Sequence, residues 1–114
     1  MLHTYYQIEA RKSDGLLIVR LCGEIDHHNA VGLRRELDDM IMRDRPRRLL
    51  VDLAAVDFMD SAGLGLLMGR LRLMQDIGGT MALLRPHARI MKILRLAGME
   101  RFMEIDGITR KGEM

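Results

Sequence analysis

Short apolar runs alternate with stretches of helical spacing, and that pattern leaves the chain few folds to choose from. LLIVRLCG (16–23), RRLLVDL (47–53) and TMALLR (80–85) carry apolar residues at consecutive positions. Runs of this length, apolar on both faces, read as buried strands. Between the first two, Ala30, Leu33, Leu37, Met40 and Ile41 share one helical stripe, with Asn29 as the expected N-cap and Pro46 closing the following loop. AAVDFMD (54–60) reads as a connection, and a helix is predicted from Ser61 to Ile77, stopped by Gly78 and Gly79. Pro86 opens a third helix with Ile90, Met91, Leu94 and Ala97 on one face and Gly98 as its stop. Ahead of all this, TYYQIEA alternates with Tyr6, Ile8 and Ala10 on one side, and Ser13-Asp14-Gly15 supplies a hairpin turn. RFMEI (101–105) is a last short strand, and DGITRKGEM (106–114) a frayed polar tail.

The order β-β-α-β-α-β-α-β predicts an α/β fold. Strand-helix-strand units pair in parallel through right-handed crossovers, while the opening hairpin adds an antiparallel edge. The expectation is a single domain over residues 1–114, ordered from about 4 to 105. Its small, mostly parallel mixed sheet carries three to four helices.

Composition removes several function classes. A chain of 114 residues with 48% hydrophobic and 30% charged content is an ordinary globular domain. A net charge of +2 is too weak a bias for nucleic acid. The densest basic stretch, Arg43, Arg45, Arg47 and Arg48, is broken by Asp44 and Pro46 and reads as a solvated loop rather than a phosphate-binding patch. Cys22 is the only cysteine, so no internal disulfide is expected and a reducing cytoplasm is the natural compartment. No signal peptide or membrane-spanning run is visible. The eleven methionines read mainly as core filling. No cofactor, metal site or catalytic residue is expected.

The segment FMDSAGLGLLMG (58–69) needs explaining, because the chain has only two serines and Ser61 is placed here. A hydrolase elbow requires G-x-S-x-G, whereas Met59-Asp60-Ser61-Ala62-Gly63 lacks the first glycine. Gly63, Gly65 and Gly69 follow a strand, but G-x-G-x-x-x-G without a following Lys-Ser or Lys-Thr fits neither phosphate loop. A plain helix start is the simplest account: Ser61 caps, and Asp60 favours the positive end. A cap alone leaves Gly65 and Gly69 unexplained, since each costs about 1 kcal/mol relative to Ala inside a helix. It also leaves Leu66 and Leu73 off the stripe of Leu64, Leu67, Met68, Leu71 and Met74. A glycine-thinned face flanked by extra leucines reads as a docking surface beside a serine.

GEIDHH (23–28), FMDSAGLG (58–65), Gly69-Arg70 and Gly78-Gly79 resemble the anti-sigma factor antagonists, regulators built on a STAS domain. The Asp-His-His element is most similar to their sporulation branch, the stage II antagonists of the sigma-F system. The resemblance spans residues 4 to about 105. It implies a protein that binds an anti-sigma factor and so frees a sigma factor. That anti-sigma factor would itself be a serine kinase acting on Ser61, with a metal-dependent phosphatase restoring the unmodified form. It further implies that Asp26 lies near the modified serine and that the segment after the serine meets the partner. The expected partner-binding residues are Asp26, His27, Asp60, Ser61, Gly63, Leu64 and Gly65, with Leu66 and Gly69 from the glycine face. Two departures stand out: Ala62 replaces a frequent second serine, and Asn29 a frequent Thr. Neither direct nucleic-acid contact nor membrane contact is implied. The alternative is a STAS module that binds a nucleotide or other small ligand, or scaffolds a larger signalling assembly.

Overall fold

Asp14 and Gly15 both have positive φ, 43° and 81°, the backbone of the two-residue hairpin turn that their sequence predicts. The structure, a computed structural model, describes residues 6–106. The turn joins β1 (Tyr6–Ser13) to β2 (Leu16–Ile25), with Ser13 directly opposite Leu16. There follow α1 (Ala30–Asp44), β3 (Arg48–Met59), α2 (Ser61–Asp76), β4 (Thr80–Leu84) and α3 (Ala88–Leu96). A 3-10 turn (Met99–Arg101) then leads to β5 (Glu104–Ile105). The five strands lie in the order β1-β2-β3-β4-β5, antiparallel at β1–β2 and parallel elsewhere. The tail expected to fray, beyond Asp106, lies outside the described residues.

Register explains which side chains form the core. Leu17, Leu49 and Met81 align across the sheet, as do Val19, Val51, Leu83 and Ile105, and all are buried. Leu33, Leu37 and Ile41 of α1 and Leu67, Leu71 and Met74 of α2 complete this core. Each such side chain withdrawn from water contributes about 1.5–3 kcal/mol. Glu9, Arg11 and Arg20 on the other face of β1 and β2 are exposed, so the hairpin is solvated on that side. Ile8 and Ala10 sit opposite Leu21 and Val19, but the edge leaves Ala10 exposed.

One boundary differs from expectation. AAVDFM is not a connection: β3 continues through it to Met59. Its pairing with β2 shifts register twice, between Arg20 and Cys22 and between Gly23 and Glu24. Each shift leaves one extra residue on β3, which breaks the period-two signal a strand normally shows. At the first, the Asp52 carboxylate accepts the Ala54 amide at 2.9 Å, and Arg85 pairs with the same carboxylate. Ala97, expected on the apolar face of the third helix, lies beyond α3 and is exposed.

Candidate functional site

The parallel strands β2 and β3 end together, Ile25 beside Met59. Asp26 and Asp60 therefore emerge as neighbours at the carboxyl edge of the sheet, where open α/β sheets commonly place their sites. The Asp60 amide donates to the Ile25 carbonyl at 3.3 Å, which ties the start of α2 to the end of β2. Gly63 is fitted into the same joint: a Cβ there would lie 2.4 Å from Met59 Cγ and 2.8 Å from the Ile25 carbonyl oxygen.

Asp60, not Ser61, caps α2. Its backbone is extended (φ −108°, ψ −168°), and Oδ1 accepts the amides of Ala62 at 2.8 Å and Gly63 at 3.3 Å. Oδ2 accepts the His27 amide at 3.3 Å, with His27 Nδ1 at 3.7 Å. Burial pushes the Asp60 pKa up, but the Ala62, Gly63 and His27 amides outweigh it and hold the group below its ordinary value. Ser61 is the first helical residue. It is exposed, and its hydroxyl makes no hydrogen bond to another described residue. The expectation that Ser61 caps the helix is thus corrected: the acid one residue earlier reaches the free amides first.

The start of α1 is held differently. Asn29 occupies the cap position but makes no side-chain cap; its Nδ2 donates to the Glu24 carbonyl at 2.9 Å. Asp26 holds the turn that precedes the helix, with Oδ1 accepting the amides of His28 at 3.0 Å and Asn29 at 3.1 Å. The rings of His27 and His28 lie 4.0 Å apart beside this turn. Asp26, His27, Asp60 and Ser61 thus form one surface at the ends of two strands.

Along α2, Leu64 is half-buried, and Gly65 is exposed while Gly69 is half-buried. A Cβ at Gly65 or Gly69 would meet nothing within 4 Å. With Leu66, Arg70 and Ala30, Val31, Arg34 and Ala62, the two glycines line a recess of about 270 Å³ between α1 and α2. The leucines expected to flank the glycine face behave otherwise. Leu66 is 5% exposed and belongs to the core, and Leu73 is half-buried against it. The cause is α1, which packs on α2 and widens its buried face; Leu66 reaches a partner only as the recess floor. Arg70, quoted in the sequence only as part of a motif, is also buried, at 7% exposure. Among the described residues no three His, Cys, Asp or Glu side chains are grouped to hold a metal ion.

The sequence matches the STAS domain family over residues 7–110. The chain belongs to that family. An anti-sigma F factor antagonist of Paenibacillus polymyxa is 37% identical over 99 residues, which cover 87% of this chain and 85% of the relative. Among solved structures, the anti-sigma factor antagonist SpoIIAA in its unphosphorylated form is similar with a TM-score of 0.75 and 26% identity, over 87% of each chain. The Bacillus cell fate determinant SpoIIAA in its phosphorylated form gives a TM-score of 0.67 and 28% identity, over 88% of this chain and 89% of the other. In this STAS domain the surface around Ser61 and the glycine recess lie on one continuous path along α2.

Proposed function

We propose that this STAS domain is an anti-sigma factor antagonist. Unmodified, it binds an anti-sigma factor in the cytoplasm and releases the sigma factor that the latter holds. Phosphorylation of Ser61 by the anti-sigma factor, acting as a serine kinase, ends the binding, and a metal-dependent phosphatase restores it. The observation that carries this reading is an exposed serine at the first position of α2, with its hydroxyl unengaged among the described residues, leading directly into an open glycine face. The named relatives are anti-sigma factor antagonists, and SpoIIAA is known in both unphosphorylated and phosphorylated forms.

The physics of the switch follows from Asp60. A phosphate brings about −1.5 to −2 charges at pH 7. Helix N-terminal amides usually welcome such a charge, but here the Asp60 carboxylate already occupies those of Ala62 and Gly63. Two unit charges about 4 Å apart at an effective dielectric near 20 repel by about 4 kcal/mol. In solution, water screens most of this, and the fold survives. Closing a partner over the pair removes that screening, and half of the repulsion already weakens binding more than tenfold.

Incubation with ATP and the anti-sigma factor tests the reading. Label is expected on Ser61, whereas Ser13, the only other serine, ends β1 and should stay unlabelled. Ser61→Ala should fold, take no label and bind constitutively. Ser61→Asp should fold and bind at least tenfold more weakly. Label on Ser13 or a threonine, or full-strength binding by Ser61→Asp, refutes the switch.

A further inference from the structure

The seam between α1 and α2 holds a charged group that its own fold leaves incomplete. Arg70 Nε lies 2.9 Å from Asp38 Oδ1, yet it is not aligned for a hydrogen bond, and Nη1 is sealed from solvent with no partner among the described residues. Native structures satisfy nearly all buried polar groups, so an exception asks for a cause. Burial pulls the Arg70 pKa below its ordinary value, against the neighbouring Asp38, but a guanidinium stays charged in proteins. Asp38 also serves Arg34, whose Nε is 3.8 Å from Oδ2. Two cations thus share one anion, and the seam carries a net positive charge. Arg70 and Arg34 both line the recess, whose mouth Gly65 and Gly69 keep clear of side chains.

We propose that this recess receives a carboxylate, from an Asp or Glu side chain of the anti-sigma factor, which pairs with Arg70. The inference rests on the function proposed above, because it takes the anti-sigma factor as the occupant. The charge imbalance selects an anion; with Nε and Nη1 sealed, Nη2 is the guanidinium donor left for a charge-assisted bond to a carboxylate. Val31 at the rim, 65% exposed, offers apolar contact to the aliphatic stem of such a side chain. Gly69 lies eight residues after Ser61, about 12 Å along the helix axis. One acidic element of the partner can therefore span both, drawn by Arg34 and Arg70 and repelled by phosphate on Ser61. Attraction and switch then act on the same partner surface.

The test is a double-mutant cycle between this chain and the anti-sigma factor. Arg70→Met keeps the volume and removes a poorly paired buried charge, so it should fold; thermal unfolding checks this. It should bind the anti-sigma factor at least tenfold more weakly, and Arg70→Lys should recover only part of the loss. Each Asp and Glu on the anti-sigma factor is changed in turn to its amide. One of these changes should reproduce the loss with the parent chain and add nothing when combined with Arg70→Met. Should Arg70→Met unfold, Arg70→Lys takes its place in the cycle. A parent chain that does not bind the anti-sigma factor overturns the proposed function and this inference with it. A parent that binds while Arg70→Met stays within twofold of it overturns the carboxylate pairing alone, as do losses that are additive for every acid.

Discussion

Gly65 and Gly69 offer a perturbation in which stability and function should move in opposite directions. Both lie inside α2, where glycine costs about 0.8–1.0 kcal/mol relative to alanine. Neither needs glycine for backbone conformation or for room within the domain, since a Cβ at either position meets nothing within 4 Å. Gly65→Ala and Gly69→Ala should each therefore stabilise the isolated protein by nearly the full helix propensity. At about 2.1 cal/mol/K of unfolding entropy per residue, a chain of 114 residues shifts its melting point by about 4 °C per kcal/mol. The double variant, gaining about 1.6–2.0 kcal/mol, should melt about 7–8 °C higher.

The two new methyl groups project into the recess mouth. If a partner packs there, each methyl overfills a fitted contact, a penalty of about 1–3 kcal/mol. The double variant should then bind the anti-sigma factor at least tenfold more weakly. Calorimetric unfolding and a titration with the anti-sigma factor, run on the same preparations, read the two effects separately. A variant that is more stable and binds as the parent does would refute the docking face. A variant that is less stable would refute the reading of open space above the glycines.

Much of this architecture was legible because it depends on local periodicity. The Asp14-Gly15 turn, the strands at LLIVRLCG and TMALLR, and the stripe of Leu33, Leu37 and Ile41 all follow from residue spacing and turn chemistry. What escaped depends on contacts distant in sequence. The second half of β3 was hidden because the two register shifts against β2 destroy its alternation. The caps differ for another reason: Asp60 and Ser61 are adjacent good capping types that sequence cannot rank, and Asn29 holds the cap position of α1 without using its side chain there. Tertiary anchoring decides both, through the Asp60 amide on the Ile25 carbonyl and the Asn29 side chain on the Glu24 carbonyl. Arg70 was least visible, since an arginine one residue after a helix glycine reads as solvated. Only the packing of α1 on α2 buries it. The spacing of Leu66 and Arg70, four apart on one helical face, was the signal available for it.

Three further substitutions probe the joints that hold the site. Gly63→Ala, unlike its neighbours, should lower stability by about 1–3 kcal/mol, because Met59 can yield but the Ile25 carbonyl at 2.8 Å cannot; the urea midpoint reads it, and an unchanged midpoint refutes the close approach. Asn29→Ala should cost about 1–3 kcal/mol by leaving the Glu24 carbonyl without its donor, and chemical unfolding that shows no loss would return Asn29 to a passive role. Asp60→Ala removes the cap of α2 and should cost about 0.5–2 kcal/mol at neutral pH. That loss must depend on pH, because the Asp60 pKa is depressed in the folded protein. A depressed carboxyl contributes stability that is fully present above its unfolded value of about 3.9 and fades as pH falls toward the folded value. The gap between parent and Asp60→Ala should therefore be level from pH 7 to about 5 and narrow below about 4. Unfolding free energies measured across that range decide the matter. A gap that stays constant to pH 3 would mean that the amides of Ala62, Gly63 and His27 do not favour the charged form of Asp60, and the electrostatic account of this cap would fall.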